Sequence, residues 1–178
     1  MPGVKYMSRA TKISLKDAKK NKLFYFVANV VIYRAKDKRC LILKRDEREV
    51  VHPGKYAVPG GKLEWKDLDL KNPTRYNGDV LDFEDMIAKL LVREAKEEAG
   101  VNIDKEIYFI NDVTFVRPDG IPVVLVKFAA RYKSGKVKPE KGAFTDYAWV
   151  NEKEVKNYPC IKGIAQEVKK TIEIFKKL

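Results

Sequence analysis

Histidine is nearly absent from this chain, with His52 alone among 178 residues. A Ser-His-Asp arrangement would have to use it, and the neighbouring Pro53 and Gly54 put it in a loop, which argues against that chemistry. Cysteine is scarce too. Cys40 lies in an apolar run and Cys160 follows Tyr158-Pro159, with no metal-ligand spacing between them, so both read as structural thiols. Long apolar runs are missing: Phe24 to Ile32 and Ile121 to Val126 fall far short of the roughly 20 residues of a membrane-spanning helix. The N-terminal residues, with Lys12, Lys16, Lys19 and Lys20 among polar neighbours, lack the apolar centre of a secretory signal, so a cytoplasmic protein with no membrane partner is expected. No Gly-x-x-x-x-Gly-Lys-Ser/Thr segment occurs, so Gly60-Gly61-Lys62 is not a P-loop.

The composition that is present, 45% hydrophobic and 35% charged, suits one domain with a full core. The formal charge is +12 and unevenly spread. Residues 1–22 hold seven basic side chains against Asp17, so this basic arm carries +6 and the expected single domain spans 23–178. Positive potential steers anions and raises the chance of a phosphate-bearing partner. Lysine-rich composition also arises from solubility, and charge alone does not name a partner.

Residues 24–33 are rich in aromatic and β-branched types and predict a strand, with 39–44 as its hairpin partner across a charged turn. The segment 52–63, with Pro53, Gly54, Pro59, Gly60 and Gly61, predicts a loop that turns sharply or approaches something closely. A helix is predicted over 85–99, ended by Gly100. Further strands are expected over 107–116, 122–132 and 143–150, as neighbours in one sheet. Ile164, Val168, Ile172 and Phe175 then recur at helical spacing and predict an amphipathic helix packed on that sheet. Residues 65–84, with Asn72-Pro73 and Asn77-Gly78, read as a long surface excursion.

The most informative segment is Arg93-Glu94-Ala95-Lys96-Glu97-Glu98-Ala99-Gly100-Val101. At about 100 degrees per residue, Glu98 lies near +40 and Glu97 near -60 degrees from Glu94, so the three carboxylates share one helix face. Ile87, Leu90 and Leu91 fall on that face as well, while Lys89, Arg93 and Lys96 fall roughly opposite. A solvated acidic face belongs opposite the apolar stripe, yet these acids continue it, which marks a functional site. Paired carboxylates at 4 Å repel by about 4 kcal/mol at an effective dielectric near 20, so a cation is called for. Oxygen ligands of this kind suit Mg²⁺ or Mn²⁺. Arg93, four residues before Glu97, can brace that side chain.

Residues 93–101 resemble the second half of the Nudix box: a glycine, five residues, an acid, seven residues, then Arg-Glu, an apolar residue, any residue, Glu-Glu, any residue, Gly and an apolar residue. Val58-Pro59-Gly60-Gly61-Lys62-Leu63-Glu64 is similar to the loop that opens it, and the flanking Lys44-Arg45-Asp46 and Trp149-Val150 are similar to the family's surroundings. The pattern places 14 positions between its glycine and its arginine, whereas Gly61 and Arg93 are 32 apart, an excess of 18. The excess is read as an insertion at about 65–84, and Asp85, eight residues before Arg93, is taken as the acid of the pattern, where the family usually has Glu.

The resemblance implies an α/β (α+β) fold, a mixed β-sheet sandwiched between helices, and a hydrolase of phosphoanhydride bonds in nucleotide-type substrates. It implies metal ligation by Glu94, Glu97, Glu98 and a backbone carbonyl of Gly60 or Gly61, with Arg93 beside them. Gly60, Gly61, Arg45 and Glu64 are the expected substrate-side residues, and Glu140 is a candidate general base from a later loop beside Glu97 and Glu98. A homodimer is a further expectation. Three alternatives stay open: hydrolysis at RNA 5′ ends guided by the basic arm, a non-catalytic nucleotide-binding module of the same fold, and an isomerase relying on a cysteine. Retention of all three acids argues against the second, and the strand position of Cys40 against the third.

Overall fold

A computed structural model describes residues 9–13 and 20–178. Most of the basic arm therefore lies outside the described residues. The first strand, β1 (Tyr25–Arg34), is nearly continuous in apolar side chains because it is covered on both sides. Strand alternation sends Ala28, Val30 and Ile32 to one face and Val31 and Tyr33 to the other. A tight turn, with Lys38 at φ 57°, returns the chain into β2 (Arg39–Arg45).

Seven strands form one mixed sheet. β2 pairs with β1, with the two-residue β3 (Tyr56–Ala57) and with β9 (Phe144–Val150), all antiparallel. On the other side β1 runs parallel to β8 (Pro122–Ser134), which pairs antiparallel with the edge strand β7 (Asn102–Val116). The short β4 (Gly60–Lys62) pairs with β1 at 27–29, so β1 exchanges β2 for β4 as it is followed towards its N-terminal end.

The two long helices cover opposite faces. Leu90, Leu91, Ala95 and Ala99 of α1 (Met86–Ala99) pack on Ala28, Val30, Ile32, Leu41 and Leu43. Val168, Ile172 and Phe175 of α2 (Ile164–Lys177) pack on Val31, Tyr33 and Ile42, with Phe175 stacked on Tyr33 at 4.9 Å between ring centres. Each buried Val, Leu, Ile or Phe among these contributes about 1.5–3 kcal/mol. The mixed sheet with a helix on each face expected from the resemblance is observed, and the expected strands share that sheet; β9, however, pairs with β2 rather than lying beside β7 and β8.

Two segments differ from the sequence expectation. Residues 52–63, expected as a loop, contain β3 and β4, since a glycine-rich stretch can lie flat against β1 where any side chain would collide. Residues 65–84 are not structureless: a single turn at Trp65–Asp67 is followed by the hairpin β5 (Arg75–Asn77) and β6 (Val80–Asp82). Its turn is built on Gly78 at φ 62°, the left-handed conformation that Asn-Gly sequences favour. Arg9 reaches this hairpin, donating to the Gly78 carbonyl at 3.1 Å and stacking on Tyr76. Among the described residues no helix is long and apolar enough to cross a membrane.

Candidate active site

Glycine at 60 and 61 lets two distant segments touch. A Cβ on Gly60 would stand 2.5 Å from the Ala28 carbonyl, and one on Gly61 would run into the Glu94 carboxylate. With neither side chain present, β4 lies between β1 and α1, and the Gly60 N–H donates to Glu98 Oε2 at 2.9 Å. The glycine loop and the carboxylate helix thus face each other although 38 residues separate Gly60 from Glu98. A cleft of about 460 Å³ opens between them, lined by Gly60, Gly61, Glu64, Arg93, Glu94 and Glu97 among others.

The three glutamates sit at different depths. Glu98 is half-buried, and loss of water pushes its pKa up to about 8, with Glu94 and Glu140 adding to the rise and the Gly60 N–H and Arg45 opposing it. Burial also raises Glu94, against the pull of Arg93 and with repulsion from Glu97 and Glu140. Glu97 is the exposed member, at 58% side-chain exposure. Both inner acids are thus pushed towards the neutral form, by burial first and by their like-charged neighbours second.

Arg93 binds this cluster together. Its Nη1 donates to Asp67 Oδ1 at 2.8 Å and its Nη2 to Glu94 Oε1 at 3.2 Å, while Nε stands 4.0 Å from Glu97. Asp67 also accepts from the Glu64 N–H at 2.9 Å. Burial would raise the Asp67 carboxyl, but the Glu64 N–H and Arg93 outweigh it and hold it below the usual range. This corrects the expectation for Asp85. Asp85 precedes α1 in a left-handed conformation, φ 60°, with no capping bond from its side chain, and the acid that meets Arg93 is Asp67. The signal was present in the sequence, for Asp67 stands six positions after Gly61, where the pattern wants its acid; the excess residues therefore follow Asp67 rather than precede it.

Only one of the remaining candidates lies on the cleft. Glu64 lines it, half-exposed and paired with Lys66 at 2.8 Å. Glu140 is held beside the end of α1 by its own N–H, which donates to the Glu98 carbonyl at 2.9 Å, and its charge acts on both Glu94 and Glu98. Arg45, at the end of β2, acts on Glu98 through space but is itself tied to Glu49 and to the Val51 carbonyl. His52 is exposed in its loop, at φ 53°. Cys40 is fully buried and burial pushes its thiol upward, while Cys160 is half-buried, so both are packing groups.

Among the described residues no three His, Cys, Asp or Glu side chains converge into a ready-made metal site. Glu98 turns to Gly60, Glu94 to Arg93 and Glu97 to water. The donor chemistry nonetheless fits a hard divalent cation: carboxylate oxygens alone, on one helix face, two of them raised by burial and like charge, next to the backbone of a glycine.

No protein-family model matches the chain and no curated protein matches it in sequence. Solved structures do match, over most of the chain. A MutT Nudix hydrolase from Burkholderia pseudomallei superposes with TM-score 0.61 at 19% identity, covering 83% of this chain and 99% of that one. A Nudix-family hydrolase from Clostridium perfringens gives TM-score 0.59 at 18% identity, over 84% and 97%. The Nudix domain of NrtR from Shewanella oneidensis, solved with ADP ribose, gives 0.64 at 15% identity, over 90% and 96%. The chain has the Nudix hydrolase fold.

Proposed function

We propose that this protein hydrolyses a phosphoanhydride bond in a nucleoside diphosphate derivative or related nucleotide, with Mg²⁺ or Mn²⁺ held by Glu94, Glu97, Glu98 and the Gly60 carbonyl. The observation that carries the reading is the direct meeting of Gly60-Gly61 with Glu94 and Glu98 beside a cleft, in a chain whose fold is that of Nudix hydrolases. That a neighbour of this fold was solved with ADP ribose, a nucleoside diphosphate derivative, supports the substrate class.

When bound, the cation would polarise the diphosphate and make water a better nucleophile. The chain's own residues do the rest. Arg93, anchored by Asp67, fixes the rotamer of Glu94. The glycine backbone leaves room for phosphate against β4. As water adds to phosphorus and the bridging P–O bond breaks, its proton passes to Glu97 or Glu98, or to Glu140 at the end of α1. A homodimer is part of the same reading.

The test is product release from a panel of nucleoside diphosphate derivatives, modified nucleoside triphosphates and 5′-triphosphorylated RNA, with and without Mg²⁺ or Mn²⁺. Metal-dependent turnover lost in Glu97→Gln and Glu98→Gln is the expected result, and preference for RNA would move the substrate class to polymer ends. Nucleotide binding without turnover in the wild type would make the protein a binding module.

A further inference from the structure

A second cavity adjoins the carboxylate cleft and differs from it in character. It has a volume of about 840 Å³, within the range of small-molecule sites, and shares Lys62, Glu64 and Lys66 with the cleft as common walls. Its other walls are mainly apolar, and Phe24, Tyr25 and Trp65 stand out. Their exposures are 47%, 44% and 55%, so three aromatic side chains are left half in water along one groove. Scattered exposed apolar residues are ordinary, but a contiguous group beside a polar cleft marks a binding surface.

We infer that this groove is the nucleoside subsite of the proposed hydrolase, with Trp65 as the face on which the base stacks. The inference rests on the reading of the cleft as a diphosphate site. A ligand spanning both cavities must carry an anionic part at the glutamates and a planar apolar part beyond Lys62 and Lys66. The two lysines stand at the seam, where the charge between base and phosphates passes. Lys62 lies 5.6 Å from the centre of the Tyr25 ring, and Lys66 pairs with Glu64.

The placement of Trp65 is fastened to the catalytic helix. Trp65 opens the single turn that Asp67 closes, and Asp67 accepts both the Glu64 N–H and the Arg93 guanidinium. Glu64 caps that turn reciprocally with Asp67. One short turn therefore carries a ring towards the groove at its start and braces Arg93 at its end, which links occupancy of the groove to the rotamer of Glu94. Aromatic rings accept any base by stacking, so the groove recognises a nucleoside without selecting one base.

The test uses Trp149→Phe protein, in which Trp65 is the sole tryptophan. Its fluorescence is titrated with ADP, inorganic pyrophosphate and octyl diphosphate in Mg²⁺. Saturable quenching by ADP with no response to pyrophosphate or octyl diphosphate is expected. In calorimetry, Trp65→Ala should weaken ADP binding on the order of tenfold and Trp65→Phe should restore most of it. A response to octyl diphosphate but not ADP would make the groove an alkyl site and overturn the inference, as would unchanged ADP affinity in Trp65→Ala. The two readings fail separately. Metal-dependent turnover with a silent Trp65 removes the groove alone, whereas Trp65 quenching without turnover in any metal removes the hydrolase.

Discussion

The two long helices are equal in length, 14 residues each, and pack on opposite faces of one sheet, yet they treat a withdrawn glutamate in opposite ways. On α2, Glu167 is 1% exposed and forms an ion pair with Lys127 of β8, itself 9% exposed. The chain supplies the counter-charge, so this pair belongs to the fold. On α1, Glu98 is met by a backbone N–H and surrounded by Glu94 and Glu140, while Arg45, whose charge opposes theirs, is itself engaged with Glu49. An acid whose counter-charge is built in belongs to the fold, whereas one set among like charges beside the glycine loop is a candidate functional group.

That contrast can be broken from either side. The largest effect is expected at α1: Glu98→Gln should lower metal-dependent turnover by about 10²–10⁴-fold while the thermal midpoint of the metal-free protein does not fall, because a repelled carboxylate has been neutralised. Steady-state kinetics and calorimetric unfolding on the same preparation check both halves. At α2 the pattern should reverse. Glu167→Gln leaves Lys127 unpaired and should cost about 3–5 kcal/mol of stability, read by denaturant unfolding, with turnover per folded molecule unchanged. The paired replacement Lys127→Met with Glu167→Leu should recover most of that loss, since an apolar pair of similar volume removes both charges.

A smaller effect separates Asp67 from Asp85. Asp67→Asn should reduce turnover or metal affinity by roughly 10–100-fold, the usual cost of losing a group that orients a metal ligand, whereas Asp85→Asn should leave both within error. Equal losses at the two positions would return Asp85 to the role expected of it from sequence.

Much of this arrangement is legible in the sequence. Apolar periodicity located both helices and the long strands because each buries one face or two against the same sheet, and the α1 acids announced themselves by continuing the apolar stripe. What escaped had particular causes. Spacing counted back from Arg93 leads to Asp85 and spacing counted forward from Gly61 leads to Asp67, and only the folded contact with Arg93 decides between them. β4 escaped because glycines carry no strand propensity; it pairs with β1 only through the absence of side chains at 60 and 61. The hairpin 75–82 was visible in Asn77-Gly78 but masked by the charge around it. The groove at Trp65 could not be read from periodicity, since Phe24 and Trp65 meet only once β4 has brought their segments together.

The most direct test places Glu98→Gln and Glu167→Gln in one Mg²⁺-dependent hydrolysis assay on nucleoside diphosphate derivatives, normalised to folded protein. The account predicts that Glu167→Gln retains wild-type turnover and Glu98→Gln loses it; full activity in Glu98→Gln would contradict it.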